Sequence, residues 1–153
     1  MKYHASSFTD FRCGYCGNFV SAAHMFSGVN NRNHCPYCLW SRHLDLYSAG
    51  DRLSACKGRM KPIGLTMKRS RNKYRLKARG ELMLIHECVE CGSLSINRIA
   101  ADDDPDSVMD AFHKSQSLEH QVHIRCEAHG IMIVNDVEIV HAQLFGQTMS
   151  LPA

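Results

Sequence analysis

The apolar residues of this chain fall in short clusters, and the spacing within each cluster predicts its element. Residues 8–20, FTDFRCGYCGNFV, place apolar positions on either side of a Gly- and Cys-containing middle, which reads as strand, tight turn, strand. Residues 27–34, SGVNNRNH, are a polar loop. After it, Leu39, Trp40, His43, Leu44 and Tyr47 recur at helical spacing and Gly50 supplies a stop, so a short helix is expected after Cys38. Residues 82–88, LMLIHEC, form an apolar strand. Residues 106–126 carry a helical pattern with Pro105 near its first turn. Further on, IMIV and VEIV flank Asn135 and Asp136, the signature of a hairpin with a two-residue turn. The expected class is a small α+β fold.

One stretch alternates in charge instead of apolarity. Arg69, Arg71, Lys73, Arg75, Lys77 and Arg79 are separated by Ser70, Asn72, Tyr74, Leu76 and Ala78. Successive side chains on a strand point to opposite faces, so this order gathers six cations on one side. A helix would scatter them. The expectation is a hairpin running through Gly80 into the apolar strand, with one strongly basic face. The charge of the chain follows the same division. Residues 1–80 hold 15 Lys/Arg against 3 Asp/Glu, and residues 81–153 hold 3 against 12. A basic front of this kind suits a polyanion, although the two halves could also neutralise each other within the fold.

Composition adds a constraint on stability. The chain has 153 residues, 44% of them hydrophobic, with a single Trp, so its core is modest. A lobe of fewer than about 70–80 residues rarely holds together without staples. Residues 1–10 contain no apolar segment of the kind that directs secretion, and no run approaches the roughly 20 apolar residues needed to cross a bilayer. The expectation is a cytoplasmic protein with no membrane partner. In that compartment thiols stay reduced, which favours metal ligation over disulfides.

Eight cysteines are present, and six form Cys-x-x-Cys pairs: Cys13/Cys16, Cys35/Cys38 and Cys88/Cys91. This spacing lets one turn aim two thiolates at a single ion, and repeated pairs point to structural zinc. Cys13, Cys16, Cys35 and Cys38 make a closed shell of four thiolates with no position for a reactive water. The order of knuckle, loop, then a Cys-Pro-x-Cys opening a helix is that of a treble clef, with zinc-ribbon-like knuckles. Cys88 and Cys91 begin a second site. His43 and His86 are each possible donors to it, and Cys126 with His129 is a competing pair. Two zinc ions are expected.

Residues 32–36 spell Arg-Asn-His-Cys-Pro. Together with CPYCLWSRHLD, Gly50-Asp51-Arg52, Cys56 with Gly58 and Met60, His86-Glu87-Cys88 with Cys91-Gly92, and NRIA followed by three aspartates, this ordered set resembles the RNHCP domain family over roughly residues 8–104. The resemblance implies a bacterial-type zinc-binding domain and says little about activity. It adds Cys56 to the second site, so Cys56, Cys88, Cys91 and His43 become the favoured ligand set. It also suggests a division into an RNHCP-like domain, 1–104, and a C-terminal extension, 105–153.

Three classes of function follow. The first is a nucleic-acid-associated module, RNA- or ribosome-linked, using the basic face of residues 69–79. The second is a zinc-stabilised adaptor for a protein partner. The third is an enzyme, against which stands the lack of paired carboxylates, a nucleophile–base set or a phosphate loop. His34 could belong to a histidine–metal nuclease, but a hydrogen bond to a thiolate or carbonyl, or an outward contact beside Arg32, is its more ordinary role. Residues 102–104 could hold a divalent ion or simply start a helix.

Overall fold

The computed structural model describes residues 10–68 and 80–146. A two-stranded antiparallel ribbon comes first, β1 (Phe11–Arg12) with β2 (Phe19–Val20), followed by one helical turn, α1 (His24–Ser27). The main sheet is antiparallel in the order β3 (Ser41–Arg42), β4 (Arg59–Lys68), β5 (Glu81–Cys88) and β6 (Leu94–Arg98). Three helices complete the fold: α2 (Pro105–Ser115), α3 (His120–Ala128) and α4 (Val137–Phe145). The molecule is a small α+β fold with β-hairpins and zinc-ribbon-like cysteine knuckles. Among the described residues no helix is long and apolar enough to cross a membrane.

The centre is the β4–β5 pair. In β5 every residue from Leu82 to His86 is buried, so the strand is covered on both faces and its sequence shows a continuous apolar run. Leu82 and Leu84 join Leu39, Leu65, Val108, Phe112, Val134 and Val140 in one cluster. Ile85 joins Ile63, Cys126 and Ile131 in another. Pro62 has no N–H to give the ladder, and the register shifts between Pro62 and Gly64. Gly64 is needed there, because a Cβ on it would lie 2.8 Å from the Cβ of Ser115 on α2.

Three expected elements differ. No helix follows Cys38. Leu39 takes a left-handed backbone (φ 65°) that a right-handed helix cannot contain, and residues 41–42 pair with Arg59 and Met60 as β3. The helical spacing was shared between unrelated jobs: Leu39 enters the main core, Trp40 packs near the first cysteines, and Tyr47 is 85% exposed. The long C-terminal helix is two, α2 and α3, separated at residues 116–119. The final hairpin is absent too. Residues 131–134 run along β4, with Val134 N–H donating to Leu65 O at 2.8 Å, but VEIV begins α4. Asp136 caps that helix by accepting from Glu138 N–H at 2.9 Å, so Asn135-Asp136 is a helix start and not a hairpin turn.

Candidate metal centres

The three Cys-x-x-Cys turns share one backbone pattern. The first cysteine of each donates its N–H to the carbonyl five residues on: Cys13 to Asn18, Cys35 to Trp40, Cys88 to Ser93, at 2.8–2.9 Å. Its own carbonyl accepts from the residue four on: Gly17, Leu39 and Gly92, at 2.9–3.0 Å. All three of those residues have φ between 65° and 76°. Glycine is favoured there because it carries no Cβ, and Leu39 is the exception. Backbone amides then point at sulfur. Tyr15 and Cys16 N–H reach Cys13 Sγ at 3.4 and 3.5 Å, and Tyr37 N–H reaches Cys35 Sγ at 3.4 Å.

Cys13 Sγ lies 3.5 Å from Cys38 Sγ, and Cys16 Sγ lies 3.6 Å from Cys35 Sγ. These are far from a disulfide bond length. Four sulfurs around an ion at about 2.3 Å would be about 3.8 Å apart, so the spacing fits a tetrahedral zinc shell. Burial and nearby amide donors, more than the neighbouring sulfurs, set the thiol ionisation of Cys16, Cys35 and Cys38. Burial pushes Cys35 up to about 11 and raises Cys38 further. At Cys16 partial burial also pushes up, but donors from the Asn18 backbone and side chain outweigh it and bring the thiol to about 7. A divalent cation at the centre reconciles four thiolates at this distance.

The second cluster is Cys56, Cys88, Cys91 and His43, with every donor atom within 4.8 Å of the others. Cys56 and Cys88 sulfurs are 3.7 Å apart, and Cys91 Sγ is 3.3 Å from His43 Nδ1. For zinc with one imidazole, an S···N edge of about 3.5 Å is expected. Ser93, at 3.2 Å, brings the Cys91 thiol down to about 6. His43 sits just past β3, and its N–H donates to Gly58 O at 2.9 Å. Five residues therefore carry the chain from Cys38 of one cluster to His43 of the other. Each of the two clusters could hold a zinc ion.

The competing donors are placed elsewhere. His86 is fully buried, with Nε2–H donating to Leu39 O at 2.6 Å while Nδ1 accepts from the Asn97 amide at 2.8 Å. Burial, aided by nearby His34, pushes it down to about 3, so it is neutral. Cys126 is buried among Ile63, Ile85 and Ile131, and His129 bonds Arg125 O. His113, His120 and His123 join no metal cluster among the described residues.

The Arg-Asn-His-Cys-Pro run is a buried latch. His34 Nε2 meets the Asp103 carboxylate at 2.7 Å, and both side chains are almost fully buried. Arg32 donates to Asp102, Asp103 and His34 O. Asn33 bonds Asp45 and accepts from Arg52. Pro36 O accepts from Asp104 N–H at 2.8 Å. Asp104 caps α2 through Ser107 N–H. Residues 102–104 thus serve the latch and the helix start and join no metal cluster among the described residues, and His34 faces a carboxylate instead of the thiolate, carbonyl or outward position expected. Asp51 holds a turn by accepting from the N–H groups of Leu46, Tyr47, Ser48 and Leu53, which lower its carboxyl well below the usual range.

Sequence reasoning missed the Asp103 partner of His34, which is 69 residues away. The only signal was three consecutive aspartates in a chain with a buried-looking Arg and His elsewhere. It also missed that Leu39 stands where the other two turns have glycine. The six basic residues Arg69, Arg71, Lys73, Arg75, Lys77 and Arg79 lie outside the described residues.

A search of curated proteins found no match, and neither did a search of solved structures. The family model described as RNHCP domain matches residues 8–109 and so takes in both cysteine clusters and the latch. With that span, and with each residue of its namesake motif held in the arrangement above, the chain belongs to the RNHCP domain family.

Proposed function

We propose that the protein is a zinc-stabilised module that binds nucleic acid, RNA or ribosome-linked, through the basic residues 69–79. Both metal clusters have four protein donors, which leaves no open position for substrate or water. Their role is to stiffen the frame. The observation that carries the binding reading is the charge of residues 57–80: ten of 24 are Lys or Arg and none is acidic. That density exceeds what protecting a sheet edge requires, for which one or two charges suffice. Lys68 and Glu81, which bracket the basic residues in sequence, face each other in register at one end of the β4–β5 pair. The second metal cluster secures the other end at Cys88. Phosphate contacts of this kind position a protein without reading sequence.

A gel-shift titration of zinc-loaded protein with RNA at several salt concentrations tests this. Binding should weaken steeply with salt, and R71E/K73E/R75E should reduce the log–log salt slope by about 2. Zinc content and the circular dichroism spectrum should be unchanged in that variant. Binding that ignores salt, or a triple variant with wild-type affinity, would remove the proposal.

A further inference from the structure

We propose that the β3 side of the sheet, beside the first metal cluster, is a ledge for single-stranded nucleic acid, built from Tyr15, Trp40, Arg42, Arg59 and Lys61. This rests on the nucleic-acid reading above and adds the class of strand and a second place where it is held.

Exposure alternates along the chain entering β3: Leu39 is buried, Trp40 half-buried, Ser41 buried and Arg42 exposed. Trp40 and Arg42 therefore share a side. Arg42 lies directly opposite Arg59 in the β3–β4 register. Arg59 and Lys61 are both exposed with buried Met60 between them, which extends the row along β4. Like charges directly opposite one another across two strands cost stability. None of the three cations forms an ion pair among the described residues. Glu87, directly across from Lys61, offsets part of that charge while Arg125 holds its carboxylate at 2.6 Å, so the uncompensated pair is Arg42 with Arg59. Two facing arginines that weaken the strand pairing are accounted for by an anion that binds between them.

The aromatic end gives the anion its class. Tyr15 stacks on Trp40 with ring centroids 4.0 Å apart and planes 6° from parallel. Tyr15 is set within the Cys13/Cys16 turn, so its ring is positioned by the metal-site backbone, and it is 54% exposed. The stack thus ends in an open aromatic face next to a line of cations. An unpaired base can extend such a stack while its phosphates follow the cations, and a paired base cannot reach it.

Trp40 is the only tryptophan, so its emission reports the ledge directly. Zinc-loaded full-length protein is titrated with oligouridylate, with oligodeoxythymidylate, and with a duplex of equal length. Saturable quenching by at least one single strand and not by the duplex is expected. R42E/R59E should weaken that binding about tenfold or more. Tyr15→Ala should weaken it roughly 5- to 150-fold, the worth of one stacked base. Should Tyr15→Ala lose zinc, R42E/R59E carries the test, since both side chains are exposed. If RNA shifts and R71E/K73E/R75E abolishes the shift, while Trp40 emission stays flat and R42E/R59E binds like wild type, the ledge is refuted and the function above stands. Equal quenching by the duplex overturns the strand class. No binding to any probe overturns both.

Discussion

Leu39 concentrates the competition between backbone and side chain in this protein. The first and third Cys-x-x-Cys turns put glycine in the left-handed position, as Gly17 and Gly92, and the second puts a leucine there. The left-handed conformation costs a non-glycine residue about 1–2 kcal/mol. Leu39 is 0% exposed and contacts the main core, and truncating a buried leucine costs about 2–5 kcal/mol. Burial wins. Leu39→Gly should therefore destabilise zinc-loaded protein by about 2–4 kcal/mol in denaturant unfolding, even though the backbone relaxes. Gly17→Ala tests the backbone alone, because nothing lies within 4 Å of the added Cβ, and it should cost about 1 kcal/mol. A Leu39→Gly protein as stable as wild type would contradict this ordering.

At the scale of elements, the latch joins the loop of residues 32–36 to the connection between β6 and α2. Arg32, His34 and Asp103 are buried together, and Asp103 also accepts from Ala100 N–H at 2.8 Å. Removing one member of a buried charged set costs about 3–5 kcal/mol, since the remaining groups lose their partner without regaining water. Asp103→Ala should lower unfolding stability by that amount, read by chemical denaturation at constant zinc. A loss below about 1 kcal/mol would mean that the latch is not structural. The same comparison shows what could be read from sequence. The cysteine turns were legible because their geometry is local, two residues between ligands and, in two of the three, a glycine after. The Pro105 helix start was legible for the same reason. The helix after Cys38 was misread because its apolar residues serve three separate environments. The strand over residues 137–140 was misread because Asp136 acts as a helix cap. The latch was invisible because its halves are about 70 positions apart in the chain.

At the scale of the whole molecule, two compact clusters pin five regions of the chain. The first ties the β1–β2 ribbon to the Cys35/Cys38 turn. The second ties the end of β3, the Cys56 loop and the β5–β6 turn. His43 belongs to the second cluster and lies five residues beyond Cys38 of the first, so loss of either ion should loosen the segment between them. The C-terminal helices rest on the sheet through Val108, Phe112 and Val140, in the same cluster as Leu39. Leu39 therefore joins the Cys35/Cys38 turn to the core on which the helices rest. The central claim is that eight side chains hold two ions. Zinc per chain, measured by native mass spectrometry on gently purified protein, tests it most directly. The account predicts two zinc ions in the wild type, one in C13S/C35S and one in H43A/C88S. A wild-type chain with no tightly held zinc, or a C13S/C35S chain that keeps both ions, would contradict it.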